Sequence, residues 1–344
     1  MRNPTTVAVG LGLVGAVVAT VLGFLTFGVQ ATVAPDHLPV AIAVPRDGPP
    51  QLGAAADRIA SQGGDTVDWQ VTDPAHAREL LADKEIYGIL ELGGGPALTI
   101  VTSGAVNPQG TQVAQQVLTG AAQGLAGALA QQNVRVAPPE VETLHAASTA
   151  GRTAPLAASA LLWVGGLVAA MAFGLLVAKP GTRTRTGARL TLVVSVSVLA
   201  TGAVAGLTKL WDSSLDLGWD VLGFLLLTAV AFASVQGALL RLLHLRAAAI
   251  LGPLYLLAPA VAGTVPEMLD PAYRTLLWSW TPFRFSTEGL RSLMQGVPDA
   301  PDVRTGLIVL TSMAVAGLVV MVWPGRRPEQ EAPAGTRELV SSGS

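Results

Sequence analysis

The chain has 344 residues, of which 51% are hydrophobic and only 13% charged, with a formal net charge of −2. That is too few charges to solvate a globular surface of this size, so the bilayer is expected to be the main solvent. Zero cysteines exclude disulfides, thiol catalysis and Cys-ligated zinc.

A hydrocarbon core of about 30 Å takes about 20 helical residues. Six apolar runs meet that length, Val7–Val29, Leu156–Ala178, Leu190–Thr208, Val221–Leu240, Ala247–Val265 and Thr305–Trp323, and none holds Asp, Glu, Lys or Arg in its interior. Each buried charge would oppose insertion by roughly 2.5–3.5 kcal/mol, so all six are expected to insert. Val7–Val29 reads as an uncleaved anchor; the competing reading is a cleaved signal sequence ending near Val29-Gln30-Ala31, against which its length of about 23 residues counts. Gly10-Leu11-Gly12-Leu13-Val14-Gly15 in this run matches the dinucleotide G-x-G-x-x-G pattern, but it lacks the surrounding strand–turn–helix context.

About 125 mostly polar residues separate the first run from the second. From Gln30 to Ala154 there are twelve acidic and six basic residues, a net charge of −6 that excludes a nucleic-acid or anionic-lipid surface. In chain order, Leu38–Val44 reads as a strand closed by the turn Pro45–Pro50, followed by a helix over Gly53–Ser61. Thr66–Val71 reads as a second strand. Asp73-Pro74 starts a helix continuing over Ala75–Ala82, and strands follow at Ile86–Leu92 and Leu98–Thr102. Val113, Val117, Leu118, Ala121, Leu125 and Leu129 recur at helical spacing within a long amphipathic helix over Gln109–Gln132. A last strand near Val141–Leu144 completes a small α/β domain, and Ala146–Pro155 reads as an extended return to the membrane.

Positive loops stay in the cytoplasm. Lys179, Arg183, Arg185 and Arg189 in the second connection, Arg241 and Arg246 in the fourth, and Arg326 and Arg327 after the last run therefore share the cytoplasmic side with both termini. The expected architecture is an α-helical integral membrane bundle of six transmembrane helices with an inserted extracytoplasmic α/β domain, in the cytoplasmic (inner) membrane. Its parts are a first transmembrane helix (1–29), the α/β domain (30–154), a five-helix region (155–324) with an outer interfacial segment near 266–304, and a disordered cytoplasmic tail (325–344).

Within the spans polarity is mild. Ser195, Thr201, Gln236 and Tyr255 are candidates for a translocation path, or equally for hydrogen bonds between helices. Gly202 and Gly206 form G-x-x-x-G, a helix-packing stripe or a consequence of composition, and Gly202→Leu is expected to impair assembly if the former holds. Asp212, Asp216 and Asp220 fall four apart, which allows a cation site on a short helix or a solvated loop. His37, His76, His145 and His244 show no metal spacing, and no metal or cofactor is expected. In the fifth connection Arg284 and Glu288 are spaced i,i+4 and, with Arg291, are candidates for an outer gate on an amphipathic segment lying at the outer interface, or on a plain surface helix. No nucleophile–base pair, G-x-S-x-G or P-loop occurs, so an enzyme is not expected.

Leu38–Val44 followed by Asp47-Gly48, Glu79-Leu80-Leu81 running into Tyr87-Gly88-Ile89-Leu90, and Thr281-Pro282-Phe283 through Gly289-Leu290-Arg291 to Gly296 resemble ABC-2 type permeases. The likeness is to the subgroup of phage-infection-protein-like membrane proteins, whose soluble insert follows the first span. The resemblance implies a homodimeric or heterodimeric export channel for a lipidic, polymeric or drug-like compound, driven by a separate ATP-binding subunit; Arg183 and Arg185 are the candidates for contacting it. The other class of function is a non-transporting, membrane-anchored receptor or scaffold whose outer domain binds a partner.

Overall fold

The computed structural model describes residues 4–93, 97–131, 137–177 and 186–323. Helix α1, Pro4–Ala31, runs unbroken through Gly10–Gly15, so the glycine pattern has no turn in which to cradle a phosphate. Its last turns pack on the far end of the chain. Tyr273 Oη donates to Phe24 O at 3.1 Å, and Val29 is buried with Leu257, Val261, Leu269 and Leu277.

The polar segment folds as β1 (Leu38–Ala43), α2 (Pro50–Ala60), β2 (Val67–Thr72), α3 (Pro74–Ala82), β3 (Ile89–Leu92), β4 (Leu98–Ser103), α4 (Pro108–Gln131) and β5 (Glu140–Leu144). The strands form one sheet in the order β2-β1-β3-β4-β5. Helical crossovers make β1 parallel to β2 and β3, and β4 parallel to β5, while the short β3–β4 connection gives the antiparallel pair. Leu38, Val40, Ala41, Ile42 and Ala43 of β1 are all fully buried, so both faces of this strand are covered, where the alternation read in its sequence suggests one.

Asp73 caps α3 as its sequence predicts, accepting from Ala75 N and His76 N at 3.2 Å each ahead of Pro74. The long helix α4 buries Ala114, Leu118, Ala122 and Leu125, and Gly88 lets the Leu118 side chain approach the sheet. The regular ladder of β3 starts at Ile89 rather than Ile86, although Tyr87 N still donates to Pro39 O at 3.0 Å. The return to the bundle is not extended: Ser148 Oγ accepts from Gly151 N at 2.9 Å and starts a helix at Thr149 that carries Pro155 inside it. That proline forfeits one helical hydrogen bond, too little to break an element of 29 residues.

Among the described residues, four helices are long and apolar enough to cross a membrane: α5 (Thr149–Val177), α6 (Thr186–Trp211), α7 (Trp219–Leu243) and α11 (Pro301–Val322). Two shorter apolar stretches accompany them, Gly15–Ala31 within α1 and Ala248–Leu257 within α8 (Ala248–Ala262). At 15 residues, α8 rises only about 22 Å. It falls short of the predicted Ala247–Val265 because a 3-10 turn over His244–Ala247 precedes it and another at Pro266–Met268 follows.

Helix α7 lies at the centre, buried against α5, α6 and α11. Close approach depends on Gly317, where an added Cβ would lie 2.6 Å from the carbonyl carbon of Ser234, and on Gly237, which faces the Met321 sulfur. A Cβ added at Gly202 or Gly206 would have nothing within 4 Å, so their stripe packs on no other helix among the described residues. Trp163, Phe232 and Phe283 fill the middle with ring centroids 5.0–5.5 Å apart.

The three spaced aspartates do not share a helix. Asp212 follows α6, Asp216 lies in the loop and Asp220 is in the first turn of α7. Asp212 is occupied by Ser148 Oγ and Ser214 N, and among the described residues no cluster of three His, Asp or Glu could hold a metal. His37, His145 and His244 instead adopt positive φ at chain turns.

Candidate functional site at the junction of domain and bundle

After α8 the chain turns through Pro266–Met268, enters α9 (Pro271–Tyr273), which runs into a π-helical turn at Arg274–Trp278, and then forms α10 (Pro282–Met294). The sequence expects this segment to lie at an interface with one polar face in water. The structure instead buries α10 nearly all round, including Phe283, Ser286, Thr287, Gly289, Leu290, Ser292, Leu293 and Met294. Small side chains make this possible. Gly289 admits the Phe224 ring, and the hydroxyls satisfy themselves locally, Ser286 Oγ donating to Phe283 O at 3.0 Å and Ser292 Oγ to Glu288 O at 3.2 Å.

The polar end of α10 meets the α/β domain. Lys84 follows α3 in a left-handed backbone conformation, φ +62°, which directs its ammonium to Ser292 Oγ and Asp302 Oδ2, each at 2.5 Å. Ser292 Oγ also lies 2.9 Å from Asp302 Oδ1. Tyr87 Oη donates to Glu267 Oε2 at 2.7 Å. Asn107 caps α4 with Oδ1, accepting from Gln109 N at 3.0 Å, and its free amide donates to Glu288 Oε1 at 3.3 Å. Backbone bonds extend the seam, Asp36 N donating to Glu267 O at 2.8 Å, and Val265 and Met268 are buried in the apolar core of the α/β domain itself.

Glu288 is the electrostatic centre of this seam. Burial pushes its carboxyl up, but Arg291, Lys84 and the Asn107 amide together hold it below the ordinary carboxylate range. Tyr87 is shifted the other way, its phenol pushed up first by burial and then by Glu267 and Glu288. Arg291 is 3% exposed and paired with Glu288 through Nη1; its Nε has no acceptor among the described residues. Arg284 does not pair with Glu288 as the i,i+4 spacing suggests. Its guanidinium sits 3.5 Å from the Trp278 ring centroid, a cation–π contact that leaves Glu288 to Arg291. Between these groups is a cleft of about 350 Å³ lined by Lys84, Tyr87, Asn107, Trp278, Arg284 and Glu288 among others, within the roughly 300–1,000 Å³ of small-molecule sites.

A carboxyl held low in the folded protein stabilises it above the unfolded value of about 4.3 and loses that contribution as pH falls through the folded value. The thermal midpoint in detergent is therefore expected to owe nothing to Glu288 titration between about pH 5 and 8. Below about pH 4 wild type should lose more stability than Glu288→Gln. A Glu288-dependent loss between pH 5 and 7 would contradict this assignment.

The other candidate residues do not join this cleft, nor each other. Ser195 is exposed on α6 and donates to Leu192 O at 3.1 Å. Thr201 is buried with its hydroxyl unpaired. Gln236 is fully buried, Nε2 donating to Trp163 O at 2.8 Å while Oε1 has no partner. Tyr255 is 37% exposed on α8. Arg183, Arg185 and the tail from 324 lie outside the described residues.

Lys84, Tyr87, Asn107, Glu267 and Asp302 are site residues that sequence reasoning passes over. The Asn-Pro pair at 107–108 signals a helix cap but not where the spare amide points, and no local pattern brings Lys84 to a helix more than 200 residues on. Compared with known proteins, the chain matches no family model, no curated protein and no solved structure.

Proposed function

We propose that the chain is the membrane-spanning subunit of an ABC-2-type export permease for a lipidic, polymeric or drug-like compound. In this reading α1, α5, α6, α7, α11 and α8 with its flanking turns supply six crossings of the cytoplasmic membrane, and the α/β domain stands outside. The observation that carries it is the seam of Lys84, Tyr87 and Asn107 on Glu267, Glu288, Ser292 and Asp302, which ties the domain to α10 and α11 over the packed centre of the bundle. Movement of those helices then moves the domain, as an outer lid requires.

Charge supports the orientation. Arg189, Arg241 and Arg246 lie in short connections at one set of helix ends, whereas Arg274, Arg284, Arg291 and Arg304 at the other set are spread thinly along a longer segment. The aromatic group Trp163, Phe232 and Phe283 closes the centre of one chain, so passage needs either rearrangement or a path shared with a second copy, in a homodimer or heterodimer.

The same packed centre favours a second reading, a non-transporting receptor or scaffold whose domain holds a partner at the cleft. Purification in mild detergent from the native membrane separates the two. An ATP-binding subunit retained at stoichiometry, with hydrolysis stimulated by this chain and reduced by charge reversal at Arg183 and Arg185, is the expected result. Absence of any ATPase from such preparations would remove the permease reading.

A further inference from the structure

At the end of the bundle away from the α/β domain, a narrow slot opens between α5, α6 and α7. Its walls include Gly166, Ala170 and Gly174 of α5, Val193 of α6 and Gly237 of α7, with Met321 of α11. Two arginines stand at its mouth, Arg189 in the first turn of α6 and Arg241 near the end of α7. Arg189 is 22 residues along α6 from Trp211, about 33 Å of helix, which sets the slot a full bilayer core away from the domain side.

The volume is about 70 Å³, far below the roughly 300 Å³ of a drug-sized site, but enough to take part of one acyl chain. Gly174 on α5 leaves open space, with nothing within 4 Å of an added Cβ, while Gly166 and Gly237 admit the Gln236 and Met321 side chains. No carboxylate offsets the two arginines among the described residues: no Asp or Glu occurs between Glu142 and Asp212, between Asp220 and Glu267, or from Thr305 to Trp323. Arg241 spends Nη1 and Nη2 on the Val320, Met321 and Trp323 carbonyls that end α11, so it is fixed in place with its charge at the slot. The first N–H groups of α6 add partial positive charge at the same point.

We propose that this slot is a binding site for one anionic phospholipid, whose phosphate is held by Arg189 beside Arg241 and whose acyl chain lies against Ala170 and Gly174. A basic pocket between membrane helices beside an apolar trough has the chemistry of a headgroup and tail together, which neither a free anion nor a neutral lipid matches. The lipid would cement α5, α6 and α7 at the end opposite the domain seam. The site depends on the chain being embedded in a bilayer and not on its being a permease.

The test uses the full chain in a neutral detergent and follows its thermal midpoint against added phosphatidylglycerol, phosphatidylcholine of the same acyl chains, and inorganic phosphate. Phosphatidylglycerol should raise the midpoint saturably, and the other two should not. Arg189→Gln should weaken the apparent affinity for phosphatidylglycerol about fivefold, the loss of one arginine contact. Gly174→Leu fills the trough from a position where nothing lies within 4 Å of an added Cβ; it should weaken the same response while leaving the lipid-free midpoint near wild type. Equal shifts with phosphatidylcholine, a phosphate response matching that of the lipid, or unchanged phosphatidylglycerol affinity in both variants would overturn the site.

Discussion

Replacing Lys84 by Ala is expected to free the α/β domain from the helices beneath it, at a cost of about 2–3 kcal/mol to the docked state. The Lys84 side chain is 13% exposed and that of its partner Asp302 21%, so the pair is mostly out of water. Removing one member of a buried pair costs roughly 3–5 kcal/mol because the other is left uncompensated, and the partial exposure of Asp302 allows some rehydration that lowers this figure. The change corresponds to about a hundredfold shift in the docking equilibrium. Because the domain remains tethered at both ends, the protein should stay folded while hydrogen exchange rises over 282–294. Lys84→Gly gives the sharper comparison. It removes the same ammonium but relieves the left-handed backbone at this position, so it should undock the domain as fully as Ala while costing less overall stability. Asp83→Ala, one residue away and exposed, should leave exchange over 282–294 unchanged; if it and Lys84→Ala behave alike, the ammonium is not what holds the seam.

Gly317→Leu is expected to prevent assembly of the bundle. An added Cβ at Gly317 would lie 2.6 Å from the carbonyl carbon of Ser234 and 2.8 Å from its Cβ. The obstacle is backbone, so no side-chain rotation relieves it, and α7 and α11 would have to separate along their whole contact. Overpacking of a well-packed interior costs typically 1–3 kcal/mol; at a backbone contact the cost should lie at or above that range. The expected reading is loss of the monodisperse peak in mild detergent. Gly202→Leu is the matched control, since its Cβ meets nothing: the yield of folded chain should be unchanged, and any effect should appear only as altered oligomer size. Monodisperse Gly317→Leu protein at wild-type yield would show that α7 and α11 do not pack as described.

The elements of the α/β domain are legible in the sequence because each carries a local signal. β1 is a short β-branched run between turn residues, α3 opens on Asp73-Pro74, and α4 repeats its apolar positions at helical spacing. The bundle is legible as apolar length, but the end of α8 is not, because an apolar run does not reveal where a helix gives way to 3-10 turns. The fate of α10 is hidden for a different reason. Its amphipathic pattern distinguishes a polar face from an apolar one, yet it cannot say that the polar face meets another protein surface instead of water. Sequence spacing offered Arg284 as the partner of Glu288, and tertiary packing overrode it by giving Arg284 the Trp278 ring and Glu288 the buried Arg291. The seam as a whole joins positions near 84–107 to positions near 267–302, and no periodicity of the chain encodes a separation of that length.

In the proposed reading the α/β domain is held outside the membrane by a bundle whose arginine-bearing ends face the cytoplasm. Because the chain has no cysteine, single substitutions report topology without background. Asp57→Cys on α2 and Arg246→Cys after α7, both at exposed positions, are treated in intact cells with a membrane-impermeant maleimide. Labelling of Asp57→Cys without permeabilisation, and of Arg246→Cys only after it, is the predicted result. The reverse pattern, or labelling of both in intact cells, would contradict the account.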